Sequence, residues 1–143
     1  MDELIAVMMS WAVTLSGYPA PDTLPQVRLV PHAVLAAQAC NGQACNVLGW
    51  FPPGDVIYLD DRLDLEADLV ADSILVHEMV HYLQQQARGQ AAWQQPMLQT
   101  ALRHSTCTSN IDAERQAYQA QREYLVRYGV FRTVGSGMSG GHC

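Results

Sequence analysis

A chain of 143 residues with 49% hydrophobic and 15% charged side chains is long enough to bury one core and too apolar to be disordered along most of its length. Its formal charge is −6 and all eight basic residues are arginine, which excludes lysine Schiff-base chemistry and a phosphate-loop lysine. Nucleic acid is not an expected partner, because phosphate backbones call for a basic surface.

From Leu4 onward, Leu4, Met8, Trp11 and Leu15 recur at helical spacing with Ile5 and Ala12 beside them, so the first element is a helix with one apolar stripe. Asp2 and Glu3 precede it where a signal peptide would carry Lys or Arg, which makes it a helix of the mature fold. No run reaches the length of a membrane span, and none is expected. A breaker-rich connector from Gly17 to Pro25 leads into Val27–Val30, a short run with strand character. Pro31 then opens a short helix over His32–Ala39, ended by the turn between Cys40 and Cys45. Val47–Phe51 and Val56–Leu59, separated by Pro52-Pro53-Gly54-Asp55, form the clearest hairpin of the chain.

The acidic cluster Asp55, Asp60, Asp61, Asp64, Glu66, Asp68 and Asp72 reads as a solvated loop with Asp at turn and cap positions. An acidic rim for a cation is the weaker reading, since the spacing departs from a calcium loop. From about Glu66 to Arg88 the pattern is helical, with Leu69, Val76, Val80 and Leu83 on one side and Gly89 as the expected stop. Met97–His104 suits a short helix. Ser109–Asp112 has the form of a capping box, which predicts a last helix from Ile111 to about Tyr128 with Ala113, Ala117, Ala120 and Tyr124 on its core side. One domain over 1–134 and a flexible Gly/Ser-rich tail over 135–143 follow. Cys40, Cys45, Cys107 and Cys143 suffice for two disulfides, which favours an exported protein, periplasmic or secreted, with its signal removed ahead of residue 1. A structural zinc site is disfavoured because C-x₄-C lacks the paired C-x₂-C spacing.

His77-Glu78-Met79-Val80-His81 is the segment that carries chemistry. Histidines four apart on a helix project from one face, so both imidazoles reach one ion at about 2.0–2.1 Å, the zinc distance. Glu78, one step round, borders that face and suits the general base that takes a proton from a metal-bound water. With five His and five Glu in the chain, random placement gives this pattern in well under one shuffled chain in a hundred. A catalytic zinc site needs a third protein ligand. The candidates are Glu114, Asp112, His104 and His142; Glu114 is preferred, since it lies early in the last helix beside the small Ala113 and Ala117, which permit a close helix approach.

The hairpin ending at Leu59, the His77-Glu78-x-x-His81 helix and the helix with Ala113-Glu114-x-x-Ala117-Tyr118 together resemble a minimal zincin of the gluzincin type. They are similar also to short uncharacterised bacterial HExxH proteins that share an ILVHE-x-VHxLQ helix and an E-x-x-AYxxQ helix. The resemblance spans about Cys40 to Tyr128 and implies an α+β fold, with a small antiparallel or mixed sheet of about three strands packed on the HExxH helix between N-terminal and C-terminal helices. It implies a zinc metallopeptidase with His77, His81 and Glu114 as ligands and Glu78 as base. It further implies a peptide or protein substrate added along an edge strand at Val56–Leu59. Many gluzincins place an Asp four residues after the ligand Glu to orient a metal histidine; here that position is Tyr118, and no outer-shell partner is evident. The oxyanion-stabilising group has four candidates, Tyr118, His104, Tyr124 and Tyr58, each first of all a packing residue. The alternatives are a catalytically silent zinc-binding regulatory module, an amide hydrolase acting on cell-wall material, and a disulfide-stabilised structural domain.

Overall fold

The computed structural model describes residues 1–94, 106–132 and 134. Among them are four helices, α1 (Asp2–Ser16), α2 (His32–Ala39), α3 (Leu69–Gln94) and α4 (Thr106–Arg127), and three strands, β1 (Gln26–Val30), β2 (Gly49–Trp50) and β3 (Val56–Asp60). The architecture is α+β with a small mixed sheet, as the sequence predicts. The proposed Met97–His104 helix, His142, Cys143 and the 135–143 tail lie outside the described residues, as does the side chain of Cys107.

The sheet order is β1-β3-β2. β1 runs parallel to β3, with Val27 opposite Ile57, and β2 runs antiparallel to it, with Trp50 opposite Tyr58. The hairpin therefore forms, but β3 lies between two strands rather than at an edge. The strand edge expected along Val56–Leu59 is therefore occupied on one side by β1 throughout and on the other by β2 at Tyr58 and Leu59; the edge beside the metal-motif helix is β2. Alternation along β3 buries Ile57 and Leu59 in the core, in one cluster with Leu75, Val76, Met79 and Val80 of α3.

Helix α1 closes the other side of α3 and α4. Ile5, Met8, Met9 and Ala12 are buried, and Trp11 meets Tyr124 edge-on at 5.6 Å. Gly17 ends α1 in the left-handed region at φ 82°, its N–H returning to the Val13 carbonyl.

Two helix boundaries differ from expectation. α3 starts at Leu69, where the Asp68 carboxylate accepts the Val70 N–H at 2.9 Å, and it runs through Gly89, which stays out of the left-handed region that a stop would require. α4 starts at Thr106, so the Ser109–Asp112 box lies inside a helix that is already formed; such a box marks a start only where the preceding backbone is not helical.

The acidic segment is solvated at Asp61 and Asp64 but not at Asp60, which has no exposure. Asp60 accepts hydrogen bonds from Arg62 Nε at 2.9 Å and Nη2 at 2.6 Å and contacts His32 Nδ1 at 2.9 Å. The Arg62 hydrogen bonds hold its carboxyl well below the usual range despite burial. His32 Nε2 in turn lies 3.0 Å from the Cys45 carbonyl, so this cluster ties the Cys40–Cys45 loop to the end of β3. Cys40 and Cys45 are paired, with Cα atoms 6.5 Å apart.

Asp72, in the first turn of α3, is also buried: its Oδ2 accepts from Tyr124 at 3.4 Å and its Oδ1 has no partner among the described residues. Burial raises its pKa to about 6. A carboxyl raised in the folded state stabilises fully below its unfolded pKa near 3.8, and that contribution is lost as pH rises through about 6. Asp72→Asn should therefore gain on the wild type by about 2 kcal/mol between about pH 4 and about pH 8. Urea unfolding of both proteins at the two pH values measures the difference, and a gap that does not change with pH contradicts the assignment.

Candidate metal centre

α3 and α4 pack face to face over Val80 and Leu83 on one side and Ala117 and Ala120 on the other, all buried. Ala117 and Ala120 carry only a methyl each, which lets the α4 backbone approach closely enough for a short carboxylate to cross the seam. Glu114 uses that approach. Its Oε1 contacts His81 Nε2 and lies 3.6 Å from His77 Nε2. Ligand atoms of His77, His81 and Glu114 all lie within 4.8 Å of one another, so the three residues are brought together as the sequence predicts. Asp112 is exposed and lies 3.9 Å from Arg115 instead; His104 and His142 fall outside the described residues.

Each imidazole is oriented from behind by a glutamine. Gln121 Oε1 lies 3.1 Å from His77 Nδ1, and Gln84 Oε1 lies 2.8 Å from His81 Nδ1. The amides have one workable orientation. Gln84 Nε2 donates to the Ala113 carbonyl and to Gln116 Oε1, each at 3.0 Å, so its oxygen must face His81. Gln121 Nε2 donates to Ser73 Oγ at 3.3 Å, and the Ser73 hydroxyl donates onward to the Val70 carbonyl at 2.6 Å. With both Nδ1 atoms donating to amide oxygens, Nε2 is the atom of each ring that faces Glu114 and the one left to bind an ion.

These two glutamines fill the outer-shell role that the absent Asp at position 118 leaves open. In the sequence they stand as letters of the two helix motifs with nothing to mark a role, because a glutamine on a helix is ordinarily a solvated residue. The available signal is spacing: Gln84 follows His81 by one turn, and Gln121 follows Glu114 by two. Gln85 is anchored elsewhere, its amide donating to the Gly54 carbonyl at 2.7 Å and accepting the Gly54 N–H at 2.9 Å, which clips the β2–β3 loop to α3.

Glu78 is buried against β2. A Cβ placed on Gly49 would sit 3.1 Å from Glu78 Cγ and 3.2 Å from its Oε1, so the strand passes closely only because residue 49 has no side chain. Burial raises the Glu78 pKa, partly offset by His77 and His81, and so strengthens it as a proton acceptor. In Glu114 burial is outweighed by hydrogen bonds from His77 and His81, which hold the carboxyl well below its usual range and keep it a carboxylate.

The centre opens to a cleft of about 570 Å³ whose walls include Trp50, Phe51, Gln85, Arg88, Glu114 and Tyr118. A smaller cavity of about 330 Å³ adjoins it past His77, Glu78 and Tyr118, with Val47, Leu48, Ile74 and Arg132 on its walls. Of the oxyanion candidates, Tyr118 lines both cavities and packs edge-on against His77 at 4.4 Å. Tyr124 is buried against Asp72, Tyr58 stacks on Trp50, and His104 is outside the described residues.

Two imidazole Nε2 atoms and one carboxylate, converging beside an open cleft, fit a borderline divalent cation such as zinc, with His77, His81 and Glu114 to hold it. No family model, characterised protein or solved structure matches this chain, so the reading of the centre rests on its own geometry.

Gln121→Ala and Gln84→Ala should each weaken zinc binding by about 10- to 100-fold, read by chelator competition, because the imidazole loses its orienting acceptor. Unchanged affinity in both would mean that the glutamines are packing residues only. Gly49→Ala should lower stability by about 1 kcal/mol or more in urea unfolding, since its methyl would press on Glu78 and Ile74; unchanged stability would contradict that placement.

Proposed function

We propose that this protein is a zinc-dependent hydrolase of the gluzincin type that cleaves amide bonds, with peptide as its substrate. The observation that carries the reading is the joint placement of Glu78 and the His77–His81–Glu114 group: a buried carboxylate with raised proton affinity stands in the same cleft as three converging ligand atoms. When bound there, zinc supplies a water acidic enough to ionise near neutral pH and polarises a carbonyl oxygen. Glu78 accepts the proton from that water and returns it to the leaving amine, and its position against Gly49 keeps it from reaching round to become a ligand. Gln84 and Gln121 hold the two rings so that Nε2 faces the ion. Tyr118, beside His77 and on the wall of both cavities, is the hydroxyl best placed to meet the developing oxyanion.

The exposed edge of β2 borders the cleft, and an extended substrate backbone added there lies across Glu78. The Cys40–Cys45 pair, one strand upstream, accords with export to an oxidising compartment. Among the described residues no helix is long and apolar enough to cross a membrane.

The deciding experiment is elemental analysis of the wild type beside His77→Ala, His81→Ala, Glu114→Ala and Glu78→Gln, with hydrolysis of a casein digest and a peptide library measured in parallel. The alanine variants should lose stoichiometric zinc, whereas Glu78→Gln should keep it and lose about 10²- to 10⁴-fold in turnover, the usual contribution of a general base. Zinc lost from Glu78→Gln would make Glu78 a ligand. Zinc retained by Glu114→Ala would remove Glu114 from the set.

A further inference from the structure

Charge is distributed unevenly around the cleft. The chain holds 14 acidic residues against 8 arginines, yet among the described residues the charged side chains lining the two cavities, besides the two histidines, are Glu78, Glu114, Arg88 and Arg132. Both carboxylates belong to the centre, and the arginines stand at opposite ends. Arg88 lies beyond Gln84 and Gln85 in the larger cavity, and Arg132 lies beside Val47, Leu48 and Val134 in the smaller one. Arg62 pairs with Asp60 and Arg115 approaches Asp112, whereas neither Arg88 nor Arg132 has a carboxylate within 4.0 Å among the described residues.

Arg88 is seven residues after His81 on α3, which puts it on the ligand face about 10.5 Å further along the axis. Helical side chains lean toward the helix N-terminus, here back toward the metal centre. An extended peptide advances about 3.3 Å per residue, so it crosses that distance in two or three residues. Arg88 and Arg132 are both exposed, so each guanidinium is free to bind a carboxylate through paired N–H donors. Once a divalent ion offsets Glu78 and Glu114, the charge left in the cleft is the pair of arginines, a positive groove on a negative molecule, and such a groove concentrates anionic ligands.

We propose that the cleft selects acidic peptide segments, with Arg88 as a specificity-determining residue for a carboxylate two or three residues from the bond that is cut and Arg132 receiving a second carboxylate at the opposite end. This rests on the cleft being the substrate site of the hydrolase described above. The test is binding to the zinc-loaded Glu78→Gln protein, which needs no turnover. Three labelled peptides of one sequence frame, with Glu, Gln or Lys at the flanking positions, are titrated and followed by fluorescence anisotropy. The Glu peptide should bind about tenfold or more tighter than the Lys peptide, and adding Arg88→Glu should remove or invert that order while zinc content and far-ultraviolet circular dichroism stay as they were. Equal affinity for the three peptides, no binding of any, or an order unaffected by Arg88→Glu and Arg132→Glu alike overturns the proposal. Hydrolysis of the same peptides by the wild type separates the two readings: graded binding without cleavage sinks the hydrolase and leaves acidic selection standing, and cleavage indifferent to charge does the reverse.

Discussion

The seam between α3 and α4 positions every candidate ligand, because His77 and His81 belong to one helix and Glu114 to the other. An ion site built this way needs the two backbones close, and Ala117 and Ala120 make that possible by having almost nothing to pack between them. The same two helices then exchange side-chain amides across the seam. Gln121 reaches from α4 to His77 and Ser73, and Gln84 reaches from α3 to the Ala113 carbonyl and Gln116. Packing and orientation are thus one constraint: the contact that buries the core also selects the tautomer of each histidine.

The sheet serves the site from the opposite side. β3 is sandwiched between its neighbours and supplies Ile57 and Leu59 as a floor for α3, which leaves β2 as the strand that meets the cleft. Gly49 is where β2 passes closest to Glu78, and the Gln85–Gly54 hydrogen bonds hold the loop beyond it. At the upstream end, buried Asp60 gathers Arg62, His32 and, through His32, the Cys45 carbonyl. A short chain with a two-residue edge strand keeps that strand in place by polar anchors at both ends rather than by length.

Neutral amides behind both histidines set this centre apart from sites where a carboxylate performs the same task. A carboxylate fixes the ring and also makes it a stronger donor to the metal; an amide oxygen fixes the ring without adding charge. With Glu114 as the one carboxylate that converges with the two imidazoles among the described residues, an ion held there would keep more of its charge, and the surrounding cleft is left open to the influence of Arg88 and Arg132.

Much of this was legible in the residues alone. The spacing of His77, Glu78 and His81 within a helical pattern determined a shared face, and the apolar periodicity of α1, α3 and α4 together with the β2–β3 reversal determined the kinds of element present, because those signals are local. Glu114 was legible only as a preference among four candidates, since nothing in a sequence measures the distance between two helices. Strand order was not legible: Val56–Leu59 reads equally well as an edge or an inner strand, and the parallel partner that makes it inner comes from thirty residues earlier. Helix ends were misjudged at Gly89 and Ser109 because a stop or cap residue acts only if the neighbouring backbone leaves the helix, which packing determines. The sequence by itself therefore determined which side chains hold the chemistry and which face they share. Only the tertiary structure decided what meets them from other segments, Gln121, Gly49 and Glu114, because those relations are contacts across space between elements whose separation along the chain does not fix their distance.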